Sequence, residues 1–433
     1  MKRSRDIYLG LDLGTATIKA VVARILPDNT LEFLGNGEMP SLSMFKGEPD
    51  QPGIVTEQIF RAIQEAIRTA ALREFPNRIA LALSGGYMET RAVSVSIDIP
   101  NSLPITEGDC ITVGRSVYGK LQPPPGQPGV VPPGKFPLST VVTRNFRLAD
   151  GRMLFSPVGQ ISSTLSCETL YFALDYERYN RIVAILNTAL DGRHIDYTVP
   201  VPLAISAALC PPLTIEDNLP MPLIIDLGAG VTSLSMPTAG GYLIAEQIGV
   251  GCDHLANDIN LVFGINDIKT ARNLIRELAS FRCTAVAAHD GDARMLTIVS
   301  PGGNQMDISA NDLETVIEMR LKELFHIIMQ RLEANQAYSW LDEVILSGDG
   351  ALIPRIGELA GGILRRKVRV GTPYQVDAAR FFDTLPPRYT TVCGLLRASL
   401  RMQMLKEERE QRGNVLDRVG RGLRDVFQAI FEW

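Results

Sequence analysis

The chain of 433 residues is poor in the residues that build metal centres and disulfide frameworks. It has six cysteines and four histidines. The cysteines show no C-x-x-C pair and no nearby cluster of histidines; they are Cys110, Cys167, Cys210, Cys252, Cys283 and Cys393. This scatter argues against a zinc site and against a disulfide scaffold. It favours a reducing compartment, in which the cysteines serve as small buried apolar residues.

Long apolar runs and an excess of charge of one sign are also missing. No run of about 18 apolar residues occurs, so we expect no transmembrane helix. The N-terminus carries no apolar signal segment, which predicts a cytoplasmic protein. The 43 Lys and Arg against 48 Asp and Glu leave a net charge of −5, which gives no reason to expect nucleic acid as a partner. Hydrophobic residues at 45% are ordinary for a folded soluble chain.

Strand-like and helix-like patterns alternate along the chain, which predicts an α/β fold. A strand–turn–strand hairpin is expected at 6–24. The expected helices are 55–74, 175–191, 267–279 and 312–335, and the expected strands include 78–83, 194–199 and 343–347. Within the first half, the segment Leu121–Pro137 holds seven prolines in seventeen residues. That density predicts an exposed loop within a small inserted domain.

Two similar strand–turn–strand motifs point to an internal repeat. Asp12-Leu13-Gly14 and Asp226-Leu227-Gly228 each follow an apolar strand and precede another. Self-similarity of this kind predicts two related domains that face each other. Each motif taken alone is also consistent with an ordinary hairpin that has a glycine turn.

The glycine turns suggest a nucleotide cleft. Glycine lets backbone N–H groups approach a phosphate, and a carboxylate at the end of each strand can hold a hydrated Mg²⁺ against it. Further glycine turns occur at Gly249–Gly251 and after the strand 343–347. The candidate nucleotide-binding residues are Asp12, Gly14, Thr15, Ala16, Thr17, Lys19, Asp226, Gly228, Ala229, Gly230, Gly251, Gly348, Asp349 and Gly350, with Asp12 and Asp226 as the metal carboxylates. The sequence motifs contain no recognisable pair of a catalytic nucleophile and its general base. His254 is the one histidine near a phosphate turn, and a structural role suits it better.

In this order, the turns resemble the actin-like ATPase superfamily, and within it the bacterial cell-division family FtsA, over nearly the whole chain. The segment Gly10–Lys19 resembles the family's first phosphate motif, and Ser84-Gly85-Gly86 resembles its glycine-rich start of an inserted domain. Further similar segments are Asp150-Gly151, Ser156–Gly159, Pro202–Ala208, Val370–Pro373 and Pro387–Leu395.

The chain departs from the family pattern at the nucleotide. Where the family usually has Gly-Gly-Gly-Thr-Thr-Asp, this chain has Gly228–Ser233, without one hydroxyl and the carboxylate. The family helix that contacts the ribose typically carries Ala-Glu-x-x-Lys, and here it reads Ala271–Ile275. Gly348-Asp349 replaces the usual Gly-Gly. The resemblance implies ATP and Mg²⁺ as cofactors, with no assigned catalytic residue. The departures leave weak, altered or absent nucleotide binding open, with at most a weak ATPase activity.

The last twenty residues have an amphipathic pattern after the charged run Lys406–Arg412. Asn414 is a suitable N-cap. At about 100° per residue, the bulky apolar side chains fall on one side and Arg418, Arg421 and Arg424 on the other. The apolar set is Val415, Leu416, Val419, Leu423, Val426, Phe427, Ile430, Phe431 and Trp433. This predicts a helix that lies in a membrane interface; a terminal helix packed on its own domain is the alternative.

The expected organisation is an actin-like ATPase fold of two related α/β domains around a nucleotide cleft. The first domain takes 1–86 and 166–212, interrupted by a small inserted α+β domain at 87–165. The second takes 213–395, with a subdomain around 267–370; a charged spacer at 396–413 and an amphipathic helix at 414–433 follow.

The resemblance to FtsA implies a membrane adaptor for cell division. Such a protein tethers filaments of the tubulin-like protein FtsZ to the cytoplasmic face of the inner membrane at the division site. Its implied partners are the FtsZ C-terminal peptide, membrane lipids, other division proteins and further copies of itself in a filament. The basic residues Arg365, Arg366, Lys367 and Arg369 could hold an acidic peptide, or they could form a solvated edge strand.

Two other functions remain open from the sequence. A cytoplasmic scaffold of pilus assembly or secretion, of the PilM type, shares the inserted-domain architecture, although such proteins usually lack an amphipathic tail. A sugar or acetate kinase of the same superfamily would need a carboxylate base and a tight nucleotide site, and the altered motifs count against it.

Overall fold

A computed structural model describes residues 7–100, 103–121, 131–132, 134–154, 156–211, 221–238, 241–265, 267–275, 295–299 and 305–412. The expected amphipathic helix at 414–433, with all its apolar residues, lies outside these ranges. So do Cys283 and most of the proline-rich loop. The five cysteines that the structure describes are free thiols.

The first elements of the chain build a sheet with one flanking helix. They are β1 (Ile7–Leu13), β2 (Thr17–Ile25), β3 (Leu31–Pro40), the short strands β4 (Met44–Phe45) and β5 (Glu48–Pro49), α1 (Pro52–Thr69) and β6 (Arg78–Leu83). Strand β1 is buried almost throughout, which explains its continuous apolar sequence. Helix α1 begins with a proline and buries a stripe at Val55, Ile59 and Ile63.

An inserted unit follows, made of a four-stranded sheet and one helix. Its elements are β7 (Met88–Asp98), α2 (Glu107–Leu121), β8 (Lys135–Leu148), β9 (Met153–Leu154) and β10 (Thr164–Asp175), with the strand order β7-β10-β8-β9. The unit extends beyond the expected boundary at residue 165, because β10 pairs with β7 along its whole length to Met88–Leu174. Pro137 lies in β8 opposite Ala173, beside an irregularity in the β10–β8 register, which is a position where a strand tolerates proline.

The chain then completes the first lobe with α3 (Tyr176–Ala189), β11 (Tyr197–Pro200) and α4 (Val201–Leu209). Asp175 caps α3 by accepting a hydrogen bond from the backbone N–H of Arg178 at 3.0 Å. Strand β11 pairs in parallel with β6, so the first lobe has the strand order β11-β6-β1-β2-β3.

The second lobe repeats this plan. Its elements are β12 (Met221–Leu227), β13 (Thr232–Thr238), β14 (Gly241–Ile248), α5 (Cys252–Phe263), α6 (268–275 as described), the hairpin β15 (Met295–Val299) and β16 (Gln305–Ser309), α7 (Ala310–Ala334), β17 (Leu341–Ser347), α8 (Ile356–Leu364) and β18 (Lys367–Val370). Its strand order β18-β17-β12-β13-β14 matches that of the first lobe, strand for strand. The structure confirms the two related α/β domains that the repeated motif predicted.

The last helix, α9 (Thr390–Arg412), follows the short strand β19 (Val376–Asp377), which joins the edge of the first sheet beside β3. The expectation of a charged spacer from residue 396 is wrong for its first part. Leu396, Ala398 and Ser399 are fully buried, and the helix continues without a break to Arg412.

Helices α4 and α9 cross in close contact and tie the lobes together. Helix α9 packs on β1 and β6 of the first lobe, although it ends the second; helix α4 packs on β13 and β14 of the second. At the crossing, a Cβ on Gly394 would overlap the backbone carbonyl oxygen of Ala204. Within the described residues, no helix has the length and apolar character needed to cross a bilayer.

The crossing predicts a large effect of a single methyl group. Gly394→Ala should lower the free energy of unfolding by at least about 2 kcal/mol, because the helices must separate to admit the Cβ. Gly362→Ala is the matched control: it also lies in a helix, but it is exposed with nothing within 4 Å of its Cβ position. The control should be neutral or stabilising by up to about 1 kcal/mol. Urea unfolding measures both, and equal midpoints would contradict the tight crossing.

Candidate functional site

A cleft opens between the two lobes where the central strands β1 and β12 end. Both lobes contribute their first hairpin turn to it, so the two copies of the Asp-Leu-Gly motif face each other. The cleft is lined by Asp12–Thr17, Lys19, Gly47, Ser84, Val201, Asp226–Val231, Ser233, Cys252, Asp253, Arg272, Ile275, Gly348–Gly350, Ile353, Arg388 and Thr391.

In the first lobe, Asp12 and Lys19 form a buried ion pair. They are directly opposite each other in the β1–β2 ladder, and Lys19 Nζ donates to Asp12 Oδ2 at 2.9 Å. Burial by itself would lower the pKa of Lys19, but the charge and hydrogen bond of Asp12 outweigh it and raise the pKa above its ordinary value. The cleft therefore keeps a fixed positive charge beside the first turn.

In the second lobe, Asp226 occupies the equivalent strand end without a cation of its own. Burial raises the pKa of Asp226 to about 6. The hydrogen bond from Ser347 and the charge of Lys19 lower the pKa, whereas Asp12 and Asp349 add to the rise. The proton affinity of Asp226 thus depends on every charge that enters the cleft.

The two turns present backbone donors to the cleft. The N–H groups of Gly14, Thr15, Ala16, Ala229 and Gly230 have no acceptor within the described part of the chain. Unpaired amides at partly buried positions are costly unless water or a ligand accepts from them. Five such donors on facing turns form a concavity suited to an anion.

The turns also touch each other at Gly230. A Cβ at this position would lie 2.5 Å from Thr15 Oγ1 and 2.8 Å from the Cα of Lys46. The Thr15 hydroxyl accepts a hydrogen bond from the N–H of Gly47 at 3.0 Å, so it keeps its own proton to donate. The tip of the β4–β5 hairpin therefore lies against both hairpin turns at this end of the cleft.

The turn after β17 forms the opposite wall. Gly348 has φ +77, and a Cβ there would lie 2.6 Å from the carbonyl oxygen of Leu227. Only glycine suits this left-handed, crowded position. The next residue, Asp349, pairs with Arg388 at 3.5 Å, and Arg388 Nε lies 3.4 Å from Glu38 of the first lobe.

Helix α6 supplies Arg272 where the family pattern has its ribose contacts. Arg272 Nε and Nη2 donate to the two carboxylate oxygens of Asp253, each at 2.7 Å. The N-terminus of α5 is turned toward the second phosphate turn: the N–H of Asp253 donates to the carbonyl of Ala229 at 2.8 Å. His254 Nδ1 accepts from the N–H of Gly251 at 3.2 Å, which is a capping role.

A single side chain of the second lobe, Gln247 on β14, bridges the lobes behind the turns. Its amide nitrogen donates to Ser84 Oγ at 2.8 Å and to Ser233 Oγ at 2.9 Å, and its oxygen accepts from the N–H of Gly85 at 3.1 Å. Ser233 is the residue that replaces the family's acid. The hydroxyl at this position is therefore used in an interlobe contact.

The structure brings together all but one of the candidate nucleotide residues. Gly251 does not line the cleft, but a side chain there would overlap the carbonyl of Ala229. The candidate partner residues lie elsewhere, at the outer edge of the second sheet. Arg366 donates to the carbonyl of Leu341 at 2.6 Å and stacks on Tyr338, and Arg369 pairs with Glu343 at 3.0 Å.

Sequence reasoning missed several cleft residues. Arg272 and Arg388 lie in segments that resemble family motifs, but those motifs assign no role to either side chain. Asp253 and the bridging residue Gln247 come from segments without such a motif, so no local signal was present. The Lys46-Gly47 turn did carry a signal, since a two-residue loop that ends in glycine is typical of a tight hairpin.

The residues present fit a nucleotide phosphate, and they fit magnesium only through water. The unpaired turn amides and Lys19 are donors for phosphate oxygens. Among the described residues, no three His, Cys, Asp or Glu side chains are placed to chelate a metal ion. Asp12 and Asp226 could instead accept hydrogen bonds from the water shell that Mg²⁺ usually keeps.

The raised pKa of Asp226 predicts a pH-dependent effect of its amide variant. The wild type loses stability as the pH rises from about 4 to 6, because the buried carboxyl must ionise in the folded state. Asp226→Asn should therefore be more stable than wild type by up to about 3 kcal/mol at pH 7 and equal to it near pH 4. Thermal unfolding across this range measures the difference. A constant difference at all pH values would contradict the buried charge.

Comparison with curated proteins finds relatives that span nearly the whole chain. No family model matches it. The cell division protein FtsA of Borreliella burgdorferi is 24% identical over 402 residues, 91% of each chain. FtsA of Pseudomonas aeruginosa is 23% identical over 412 residues, 93% of this chain and 91% of its own.

Solved structures agree on the fold. A chain of the PilM–PilN type IV pilus biogenesis complex has a TM-score of 0.58 at 15% identity, covering 91% of this chain and 98% of its own. MreB5 of Spiroplasma citri bound to ADP has a TM-score of 0.50 at 13% identity, covering 94% and 99%. The chain has the actin-like ATPase fold, and its sequence is similar to FtsA cell-division proteins over nine-tenths of its length.

Proposed function

We propose that this protein is a membrane adaptor of cell division that binds ATP with Mg²⁺ in the interlobe cleft and assembles into filaments. In this proposal it tethers FtsZ to the cytoplasmic face of the inner membrane at the division site, through the amphipathic segment 414–433. The observation that carries the proposal is the pair of Asp-Gly hairpins that face each other across one cleft, in a chain similar to FtsA over nine-tenths of its length.

The cleft supports a nucleotide role through its donors. Lys19 and the free turn amides are available to a triphosphate, and Asp12 and Asp226 to the water shell of its magnesium ion. The segment Ala271–Ile275 lacks the acidic and basic ribose contacts of the family pattern, and its Arg272 is paired with Asp253. We therefore expect the phosphates to supply most of the binding energy, and the affinity to be modest.

The membrane role rests on the sequence of the tail together with helix α9. This helix leaves the buried crossing with α4 and runs continuously to Arg412, directly before the amphipathic segment. A helical connection would transmit the position of the lipid-bound segment to the interlobe crossing more rigidly than a flexible linker would.

The FtsZ peptide is proposed to bind at the outer edge of strand β18. Of the four basic candidates there, Arg366 and Arg369 already have partners within the fold. Arg365 and Lys367 are the charges left for an acidic peptide. An edge strand also offers backbone groups to which an extended peptide can pair.

A scaffold of pilus assembly is the second candidate, and one observation favours it: the likeness to a chain of the PilM–PilN complex. That likeness shows the fold alone. The curated relatives and the amphipathic tail favour the adaptor. Lipid binding by residues 414–433 would distinguish the adaptor from the scaffold.

Deletion of the tail is predicted to abolish membrane binding. Full-length protein should co-sediment with liposomes of mixed anionic and neutral lipid, and a chain that stops at Gly413 should stay in the supernatant, because the apolar face supplies the insertion energy. A full-length Phe427→Asp variant tests the apolar face without a change in chain length. It keeps the length of the chain but places a charge on the apolar face, and it should also fail to sediment. Sedimentation of the truncated chain, or of neither chain, would favour the scaffold.

Loss of the Asp12 charge is predicted to weaken magnesium-dependent ATP binding. Asp12→Asn should raise the Kd for Mg²⁺-ATP about tenfold or more, because one charged acceptor for the water shell is lost. Asp342→Asn, at the exposed opposite end of β17, should leave the Kd within twofold. Isothermal titration measures both. Equal affinities would remove Asp12 from the site, and no ATP binding by the wild type would contradict the nucleotide role.

A further inference from the structure

The tip of the β4–β5 hairpin contacts three glycine turns: the first hairpin turn at Thr15, the second at Gly230, and the turn Ser84-Gly85-Gly86. The N–H of Gly47 donates to Thr15 Oγ1 of the first phosphate turn at 3.0 Å. The backbone of Lys46 lies against Gly230 of the second, and its carbonyl accepts from the N–H of Gly86 at 3.1 Å. This tip is therefore fixed in position by both lobes.

The tip holds a conformation that its sequence does not favour. Lys46 has φ +48 and Gly47 has φ +78, so both residues of the two-residue loop are left-handed. Asn, Asp or Gly is preferred at the first position of such a turn, and a lysine there carries a strain of about 1 kcal/mol or more. The next residue, Gly47, lines the cleft, so the strained lysine lies directly beside the cleft, and the strain suggests a role for its side chain.

Among the residues that the structure describes, no acid forms an ion pair with the ammonium group of Lys46, whose ring contact is with Phe45. The ammonium group lies 4.0 Å from the position of a Cβ on Gly249 and 5.7 Å from the centre of the Phe45 ring. Glu48, the nearest acid along the chain, is paired with Arg178 at 3.2 Å. Gly249 lies in the turn that leads from β14 into α5, so the ammonium is near the second-lobe segment that precedes this helix.

The cleft has an apolar end and a phosphate end. Ile275 and Ile353 line it on the side of Gly348, where a base could be buried. The two hairpin turns line the other side, and the Lys46-Gly47 tip contacts these turns at Thr15 and Gly230. A nucleotide placed with its base toward the isoleucines would direct its last phosphate toward Lys46.

We propose that Lys46 binds the terminal phosphate of a nucleoside triphosphate, so that the protein distinguishes a triphosphate from a diphosphate. The proposal rests on the nucleotide function proposed above and assigns a residue of the first lobe to a phosphate held at the second-lobe turn. In this proposal the ammonium group of Lys46 contacts the terminal phosphate of a triphosphate, and a diphosphate has no phosphate at that position. Lys19, deeper in the cleft, would serve both nucleotides equally.

The test compares ATP with ADP, each with Mg²⁺, by isothermal titration on the full chain. Lys46→Gln should weaken ATP binding about tenfold or more and leave ADP binding within twofold, because only ATP loses a charged contact. Lys46→Gly removes the same amine but suits the left-handed turn, so it tests the contact without the risk of a distorted hairpin. Lys46→Arg should retain most of the preference for ATP.

Lys322→Gln is the matched control, since it is the same change on the exposed face of α7. It should alter neither affinity. A Lys46 variant that binds ATP like the wild type, or that loses ATP and ADP affinity to the same extent, overturns the role of Lys46 while leaving the nucleotide cleft standing. A wild type that binds neither nucleotide overturns both.

Discussion

The crossing of α4 and α9 is the contact on which the rest of the architecture depends. Each lobe ends in a helix that packs on the sheet of the other lobe, and the two helices meet where Gly394 lies against the backbone of Ala204. Each sheet is therefore covered in part by a helix of the other lobe, which couples the two lobes through one buried crossing.

Four aspartates line the described cleft, and three of them form an ion pair with a basic side chain. Asp12 pairs with Lys19, Asp253 with Arg272, and Asp349 with Arg388. Asp226 has none, and burial raises its pKa to about 6. A site arranged in this way is close to neutral when empty, so an entering phosphate meets free backbone donors and little repulsion. Binding would then depend on the turns and on hydrated magnesium more than on ion pairs with the protein.

The departures from the family pattern have structural replacements. Ser233, in place of an acid, holds Gln247, which reaches across to the first lobe; Arg272, in a ribose-contact segment, is held by Asp253. Positions that would face a nucleotide in the family pattern here make intramolecular contacts across or along the cleft. The lobes are thus held together in part by the protein itself, which is a physical reason for a modest dependence on nucleotide.

The sequence by itself determined the elements whose signal is local. The Asp-Leu-Gly hairpins, the buried strands and the amphipathic helices were readable because their glycines and apolar periodicities are contiguous, and the repeat of one motif was enough to predict two related domains. What only the tertiary structure decided were contacts between distant segments: the Gln247 bridge, the Asp253–Arg272 pair, the place of the Lys46-Gly47 tip, and the burial of α9 at residues expected to form a spacer. The sequence from residue 396 onward was predicted to be a solvent-exposed spacer, because its local pattern does not reveal the surface against which it packs. In this protein the partner surface is the sheet of the other lobe, and no local pattern encodes it.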